Sequence, residues 1–268
     1  MPTAEARAGA GAGVTAGGSG GDAATLRALA VDIAREAGTL LAKARPTGQR
    51  SKSSPTDIVT DADRAAEELI VRRLRAERPD DSLLAEEGSL HTGTSANTWV
   101  IDPLDGTVNF IYGIPHWAVS IGLEGSVRLG VIYDPSRGEL FTDESMFTPS
   151  SQTDLAQALI ATGFSYSAET RARQGAIVAR VLPRVRDIRR CGSLALDLAW
   201  VACGRLDALY EHDTQPWDLS AGIAMLEAAG GVARTTGSTI VAAGNDTLFR
   251  QLEELVLGDA RGAPQGAG

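Results

Sequence analysis

Only two cysteines and three histidines occur in this chain of 268 residues. Cys191 and Cys203 sit in apolar sequence of helix or strand type, which speaks against a disulfide framework and against Cys-based metal ligation. Reduced core thiols are expected instead. His91, His116 and His212 show no pair at metal-ligand spacing, and neither a Gly-x-Ser-x-Gly turn nor a Cys/His nucleophile arrangement is present. No apolar run approaches the length of a membrane span, and no basic segment precedes an apolar one near the start. A cytoplasmic protein without a membrane partner is expected. Basic charge is short as well: 25 Lys and Arg against 34 Asp and Glu leave a net charge of −9. Such a field repels polyanions, so nucleic acid is not an expected partner. It would also repel a phosphorylated substrate unless bound cations reversed the sign locally.

What the chain does have is apolar matter for a sizeable core, at 43% hydrophobic residues. Residues 1 to 24 are mostly Gly and Ala and read as a disordered tail. From Thr25 to Ala44 the positions Leu26, Leu29, Ala30, Ile33, Ala37, Leu40 and Leu41 recur at helical spacing. A second helix is predicted from about Ala62 to Arg78, stopped by Pro79. Strand-like runs follow at Ser82–Ala85, Thr98–Ile101, Trp117–Glu124, Arg128–Tyr133 and Glu139–Thr142. With no helices between most of them they predict an antiparallel sheet. After residue 150 the pattern alternates: strand Ala158–Thr162, helix Ala168–Leu182, strand Val185–Arg190, helix Ser193–Cys203, strand Leu206–Glu211 and a last helix Asp246–Leu257. That rhythm predicts a mostly parallel α/β sheet. The reading therefore divides the chain into the tail, an α+β half at 25–150 and an α/β half at 151–268.

The segment Trp99-Val-Ile-Asp-Pro-Leu-Asp-Gly-Thr-Val-Asn-Phe110 puts two carboxylates three residues apart where an apolar strand stops. Asp-Pro and Asp-Gly are turn chemistry, so Asp102 and Asp105 are expected to face one point after Ile101. A helix starting at Gly106 and Thr107 would add free N–H groups suited to a phosphate. Three further acidic segments accompany it: Lys52-Ser-Ser-Pro-Thr-Asp-Ile-Val-Thr-Asp-Ala-Asp63, Leu84-Ala-Glu-Glu-Gly88 and Glu211-His-Asp-Thr-Gln-Pro-Trp-Asp-Leu-Ser-Ala-Gly222.

In order and spacing these motifs resemble the inositol monophosphatase family, Mg2+-dependent sugar phosphatases of the lithium-sensitive type, over roughly residues 25 to 258. The resemblance implies a layered α-β-α-β-α sandwich, α+β and α/β in class, of the kind shared with fructose bisphosphatases. It implies two or three Mg2+ ions: one on Glu86, Asp102 and the carbonyl of Leu104, a second on Asp102, Asp105 and Asp218, and a weaker third touching Glu86. Asp57 and Thr107 resemble the pair that orients and deprotonates the attacking water. The N–H groups of Gly106 and Thr107 resemble a phosphate cradle, Glu211 matches a position that binds sugar hydroxyls, and Gly192-Ser193-Leu194 matches another stretch of substrate wall. The implied reaction is hydrolysis of a small polyol phosphate, foremost inositol monophosphate, because Val108-Asn109-Phe110 follows Asp-Gly-Thr. Histidinol phosphate and fructose 1,6-bisphosphate are the alternative substrates, and a non-catalytic regulatory binding protein on the same scaffold is the alternative of another class. A homodimer is expected by the same resemblance.

Plainer roles compete at several positions. Thr60 with Asp63 three residues on is a helix N-cap pattern, and Asp61 and Asp63 are read as first-turn acids. Asp218 has the position of an N-cap for a helix Leu219–Ala229. Glu87 is read as shaping its loop, Lys52 as a loop residue near the metals or a solvated charge, and His212 as a structural or solvent-facing residue in preference to one bordering the substrate pocket. Two departures from the family pattern stand out: Ala85 replaces a usual Gly, and the segment between Phe141 and Ala158 is short, which weakens any subunit contact carried over from relatives.

Overall fold

Amphipathic helices need a partner for their apolar stripe, and in this chain the partners are two sheets. A computed structural model describes residues 19–51 and 58–262. Residues 1–18, Lys52 and Asp57 lie outside them. The first helix, α1 (Ser19–Lys43), begins ahead of the predicted Thr25, because Ala is a strong helix former and Asp22 suits a first turn. Its residues Leu26, Ala30, Ile33, Ala37 and Leu41 are buried, as the spacing predicted. Two short strands, β1 (Arg50–Ser51) and β2 (Ile58–Val59), pair antiparallel before α2 (Asp61–Glu77). Helices α1 and α2 cover one face of a six-stranded sheet built from β3 (Ser82–Ala85), β4 (Leu90–His91), β5 (Thr98–Asp105), β6 (Ala118–Glu124), β7 (Leu129–Asp134) and β8 (Glu139–Thr142). A five-residue helix, α3 (Thr107–Ile111), lies between β5 and β6.

The strand order of this sheet is β4-β3-β5-β6-β7-β8. It is antiparallel as expected except that β3 runs parallel to β5. The second sheet has the order β10-β9-β11-β13-β12, from β9 (Leu159–Thr162), β10 (Asp187–Arg189), β11 (Ala208–Glu211), β12 (Val232–Thr236) and β13 (Thr239–Ala243). It is mixed rather than mostly parallel: β10, β9 and β11 are parallel, whereas β13 pairs antiparallel with both β11 and β12. The reason is local. Gly237 and Ser238 close a two-residue hairpin, which joins only antiparallel strands.

Helices α5 (Leu194–Ala202) and α6 (Pro216–Ala228) form the layer between the sheets, and α4 (Ala168–Val181) and α7 (Asp246–Gly262) cover the outer face of the second. The result is the expected α-β-α-β-α sandwich. The core between the sheets draws on both halves of the chain: Ala118, Ile132 and Phe141 pack with Leu196, Leu209 and Met225. Helix α6 starts three residues earlier than predicted, because Pro216 fits a first helical turn. Asp218 is thereby the third helical residue, not the cap. Cys191 and Cys203 are free thiols, half-buried rather than core.

Candidate active site

The parallel strands of both sheets end at one place. Glu86 follows β3, Asp102 and Asp105 close β5, Gly163 follows β9, Arg190 follows β10, and Glu211 ends β11. A cavity of about 180 Å³ opens there. The carboxyl ends of strands at a change of connection are where open α/β sheets leave a crevice. Every candidate residue within the described part of the chain lines it: Glu86, Asp102, Leu104, Asp105, Gly106, Thr107, Gly192, Leu194, Glu211 and Asp218.

Strand β5 does not stop at Ile101 as the turn chemistry suggested; it runs on to Asp105 through a bulge. Asp102 pairs with Ser120 and Asp105 with Ala118, so three steps along β5 match two along β6. In a regular strand, residues three apart point to opposite faces. The extra residue returns Asp105 to the side of Asp102, and both carboxylates meet the cavity. Leu104 N–H donates to Asp102 Oδ1 at 3.0 Å. Gly106 then takes a left-handed turn, φ 98°, that side chains rarely adopt, and leads into α3.

Long-range contacts complete the set. Asp105 Oδ2 accepts from Ser193 Oγ at 2.5 Å and from Ala195 N–H at 2.7 Å, which ties β5 to the start of α5. Asp218 reaches back to Gln215 N–H at 2.7 Å, a capping contact, while lining the cavity. Thr107 Oγ1 donates to Asp63 Oδ1 at 2.8 Å and lies 3.1 Å from the carbonyl oxygen of Leu104. Asp63 is fully buried, and its other oxygen caps α2 by accepting from Thr60 N–H at 2.9 Å. The N-cap reading of Asp63 is right, and it is half of the residue's role.

Other groups at the site carried little local signal. Glu67, one helical turn beyond Asp63, is buried and accepts from Glu87 N–H at 2.7 Å and Ser89 N–H at 3.0 Å, so it holds the turn that presents Glu86. An acid on the apolar face of α2 was the available clue. Arg190, Phe164, Ser165, Tyr166 and His212 also line the cavity, with the Arg190 guanidinium 6.0 Å above the Phe164 ring. His212, read as structural, does both: Nδ1 lies 2.8 Å from Thr239 Oγ1. Gly163 admits Glu211, whose carboxyl would stand 2.1 Å from any Cβ at that position.

Crowded acids raise one another's pKa. Burial and then repulsion from Glu86, Asp105 and Asp218 push Asp102 well above the usual carboxylate range. Burial raises Asp105 to about 6 against its bonds to Ser193 and Ala195, and burial with Asp105 and Glu86 nearby raises Asp218. Glu211 is pushed up to about 8 by burial and then by Asp197 and Asp105, with Arg190 opposing. Oxygen donors this dense fit hard divalent cations, which offset the repulsion.

A five-layered sandwich with a cage of carboxylates at its strand ends is the architecture of a cation-dependent phosphoric monoester hydrolase. The model of the inositol monophosphatase family matches residues 22–260, and the chain belongs to that family. It is 43% identical to an inositol-1-monophosphatase of Mycobacterium leprae, over 78% of this chain and 83% of that protein. It is 39% identical to the Nus factor SuhB of Escherichia coli K12, over 81% and 88%. Among solved structures, the extragenic suppressor protein suhB of Bartonella henselae superposes with a TM-score of 0.79 at 34% identity, covering 87% of this chain and 98% of that one. An inositol monophosphatase of Anabaena gives 0.78 at 32%, covering 88% and 97%. Metal dependence comes with the family. No helix among the described residues is long and apolar enough to cross a membrane.

The raised pKa values have a thermal consequence. An acid whose folded pKa lies above its unfolded one keeps its proton longer when folded, so stability falls as pH rises from the unfolded to the folded value. For Asp105 that window runs from 3.8 to about 6 and involves on the order of 1–3 kcal/mol. A divalent cation bound among these carboxylates would offset the repulsion. The Tm gained by adding Mg2+ to chelated protein should therefore grow as pH rises from about 4 to 6, by about 5 °C. Scanning calorimetry at fixed ionic strength checks this, and a gain that stayed flat or shrank would remove the acid cage as the cation site.

Proposed function

We propose that this chain hydrolyses the phosphate ester of a small polyol, inositol monophosphate foremost, at the cavity between the two sheets. The observation that supports it is the make-up of the cavity: Glu86, Asp102, Asp105 and Asp218 line it together with Glu211 and Arg190. Mg2+ held by those four carboxylates and the Leu104 carbonyl would polarise the phosphoryl group and lower the pKa of water. Two or three ions fit the donor set.

The chain's own residues do the rest. Asp63, accepting from Thr107 Oγ1, draws electron density onto that hydroxyl and turns its lone pair toward the proton of an attacking water. Asp63 is the group through which that proton leaves. The N–H groups of Gly106 and Thr107, at the turn set by the Gly106 conformation, receive phosphoryl oxygens. Ser193 and Ala195 fix Asp105, and Glu67 fixes the Glu86 turn, so the acids are held before substrate arrives. Glu211 and the Gly192 to Leu194 wall face the alcohol part of the ester, with Arg190 the cation of that side. A homodimer rests on the family resemblance, and light scattering tests it.

A phosphate-release panel of inositol monophosphate, histidinol phosphate and fructose 1,6-bisphosphate, each with Mg2+ and with chelator, tests the reading. No release from any of them would favour a non-catalytic binding role; the Escherichia coli relative is named a Nus factor.

Glu211→Gln separates recognition from chemistry. The amide keeps an acceptor oxygen and the metal-facing acids stay in place, so preference for a polyol phosphate over an aryl phosphate should fall by about one to two orders of magnitude. In the wild type that preference should rise with pH, up to the Glu211 value of about 8, and in the variant it should be flat. Equal losses on both substrates would reassign Glu211 to the metal site or to the structure.

A further inference from the structure

His116, Cys191 and Asp197 come from three separate stretches of chain: the loop before β6, the loop after β10, and the first turns of α5. An imidazole nitrogen, the thiol sulfur and a carboxylate oxygen of the three all lie within 4.8 Å of one another. None of these residues lines the carboxylate cavity. His116 and Asp197 are 6% and 2% exposed, and His116 Nε2 and Asp197 Oδ1 are buried without any hydrogen-bond partner. Two polar atoms left without a partner in a protein interior are costly, at about 1–3 kcal/mol each, unless something binds there. The backbone is fastened for it as well: Asn109 Nδ2 donates to the carbonyls of both His116, at 2.7 Å, and Cys191, at 2.9 Å. The His116 ring is held edge-on by Trp200 at 5.1 Å, and Trp200 lies one turn along α5 from Asp197.

We propose that His116, Cys191 and Asp197 form a second cation site, separate from the carboxylate cage, that takes Zn2+. The donor set selects the ion. Mg2+ avoids sulfur, whereas one nitrogen, one thiolate and one carboxylate suit a borderline-soft ion with a fourth position left to water. Neutral imidazole, thiolate and carboxylate carry two negative charges, so a divalent ion leaves the buried site without net charge. Donors at about 2.0–2.3 Å around a tetrahedral ion stand under about 4 Å apart, so the three side chains close in by about 1 Å. Half-buried Cys191 supplies the way in from solvent.

The protonation states agree with an ion-binding pocket. Burial, with Arg137 adding to it and Asp134 opposing, holds His116 down at about 4, so its imidazole is neutral and ready to bind at physiological pH. Burial raises both the Cys191 thiol and the Asp197 carboxyl, which favours their protonated forms while no cation is bound. Ion binding expels those protons to solvent. The ion would join the loop before β6 to α5, elements from the two halves of the chain.

Co2+ serves as the spectroscopic stand-in for Zn2+, with full-length protein kept in saturating Mg2+ so that the oxygen-donor cage is filled. A thiolate-to-cobalt charge-transfer absorption is expected in the near ultraviolet, lost in Cys191→Ser and retained in Cys203→Ser. Zn2+ should slow alkylation of Cys191 by iodoacetamide at least ~10-fold and leave Cys203 unaffected. It should also raise Tm by about 5–10 °C at a hundredfold excess over Kd, a gain absent from Cys191→Ser. If Cys191→Ser proves unstable, His116→Gln takes its place, with Cys191 still present and its alkylation no longer protected. Absence of the thiolate absorption in the wild type, or its survival in Cys191→Ser, would show that water alone satisfies these groups and would overturn the site.

Discussion

Asp102→Asn should reduce phosphate release by at least ~10³-fold and at the same time raise the Tm of the chelated protein by a few degrees. The two effects have one cause. Asp102 is buried beside Glu86, Asp105 and Asp218, and burial first, then their repulsion, holds its pKa well above the ordinary carboxylate range. An amide at this position still accepts the Leu104 N–H bond, so the bulge in β5 is kept while a buried acid that is costly to ionise among its neighbours is replaced by a neutral group. The chelated fold gains, and the proposed cation site loses one of its carboxylates. Turnover near that of the wild type would remove Asp102 from the metal site. A fall in Tm of the chelated variant would show that the acid supports the fold rather than straining it. Activity assays and calorimetry on one preparation read both.

The second large effect falls on Asp63. Asp63→Asn should lower kcat by about 10²–10⁴-fold with little change in the Mg2+ concentration for half-maximal rate, because it removes the base behind Thr107 and none of the residues assigned to the metals. Thr107→Val should lose about as much. The double variant should be little worse than either single one, since the hydroxyl and the carboxylate act as a unit. Asp57→Asn is the control. Asp57 resembles the water-orienting partner of Thr107 by its place in the motif; it lies outside the described residues, among which Thr107 bonds to Asp63, six positions on. A large loss from Asp57→Asn with a small one from Asp63→Asn would return the role to Asp57. Asp63→Asn will also cost stability, on the order of 1–3 kcal/mol, because its oxygen caps α2 inside the core. A thermal melt is therefore part of the experiment.

The helical periodicity of Leu26 to Leu41 and of Ala62 to Leu74 marks by itself which faces are buried, since a helix repeats its contacts every turn and apolar residues line the covered side. Asp102, Asp105, Glu86, Glu211 and Asp218 are legible for a related reason. Each is anchored to the end of a strand or the start of a helix by residues within a few positions of it, and the cavity forms where those ends meet. What the sequence could not express is any pairing made by packing. The bulge that turns Asp105 to the side of Asp102 depends on β6, and the mixed character of the second sheet depends on where β13 finds its partners. Thr107 meets Asp63 across 44 positions because α2 packs on β5, and Glu67 steadies the Glu86 turn from that same helix face. His116, Cys191 and Asp197 show no ligand spacing along the chain; the tertiary fold alone brings them together, because contacts between distant segments are decided by how layers of helix and sheet stack.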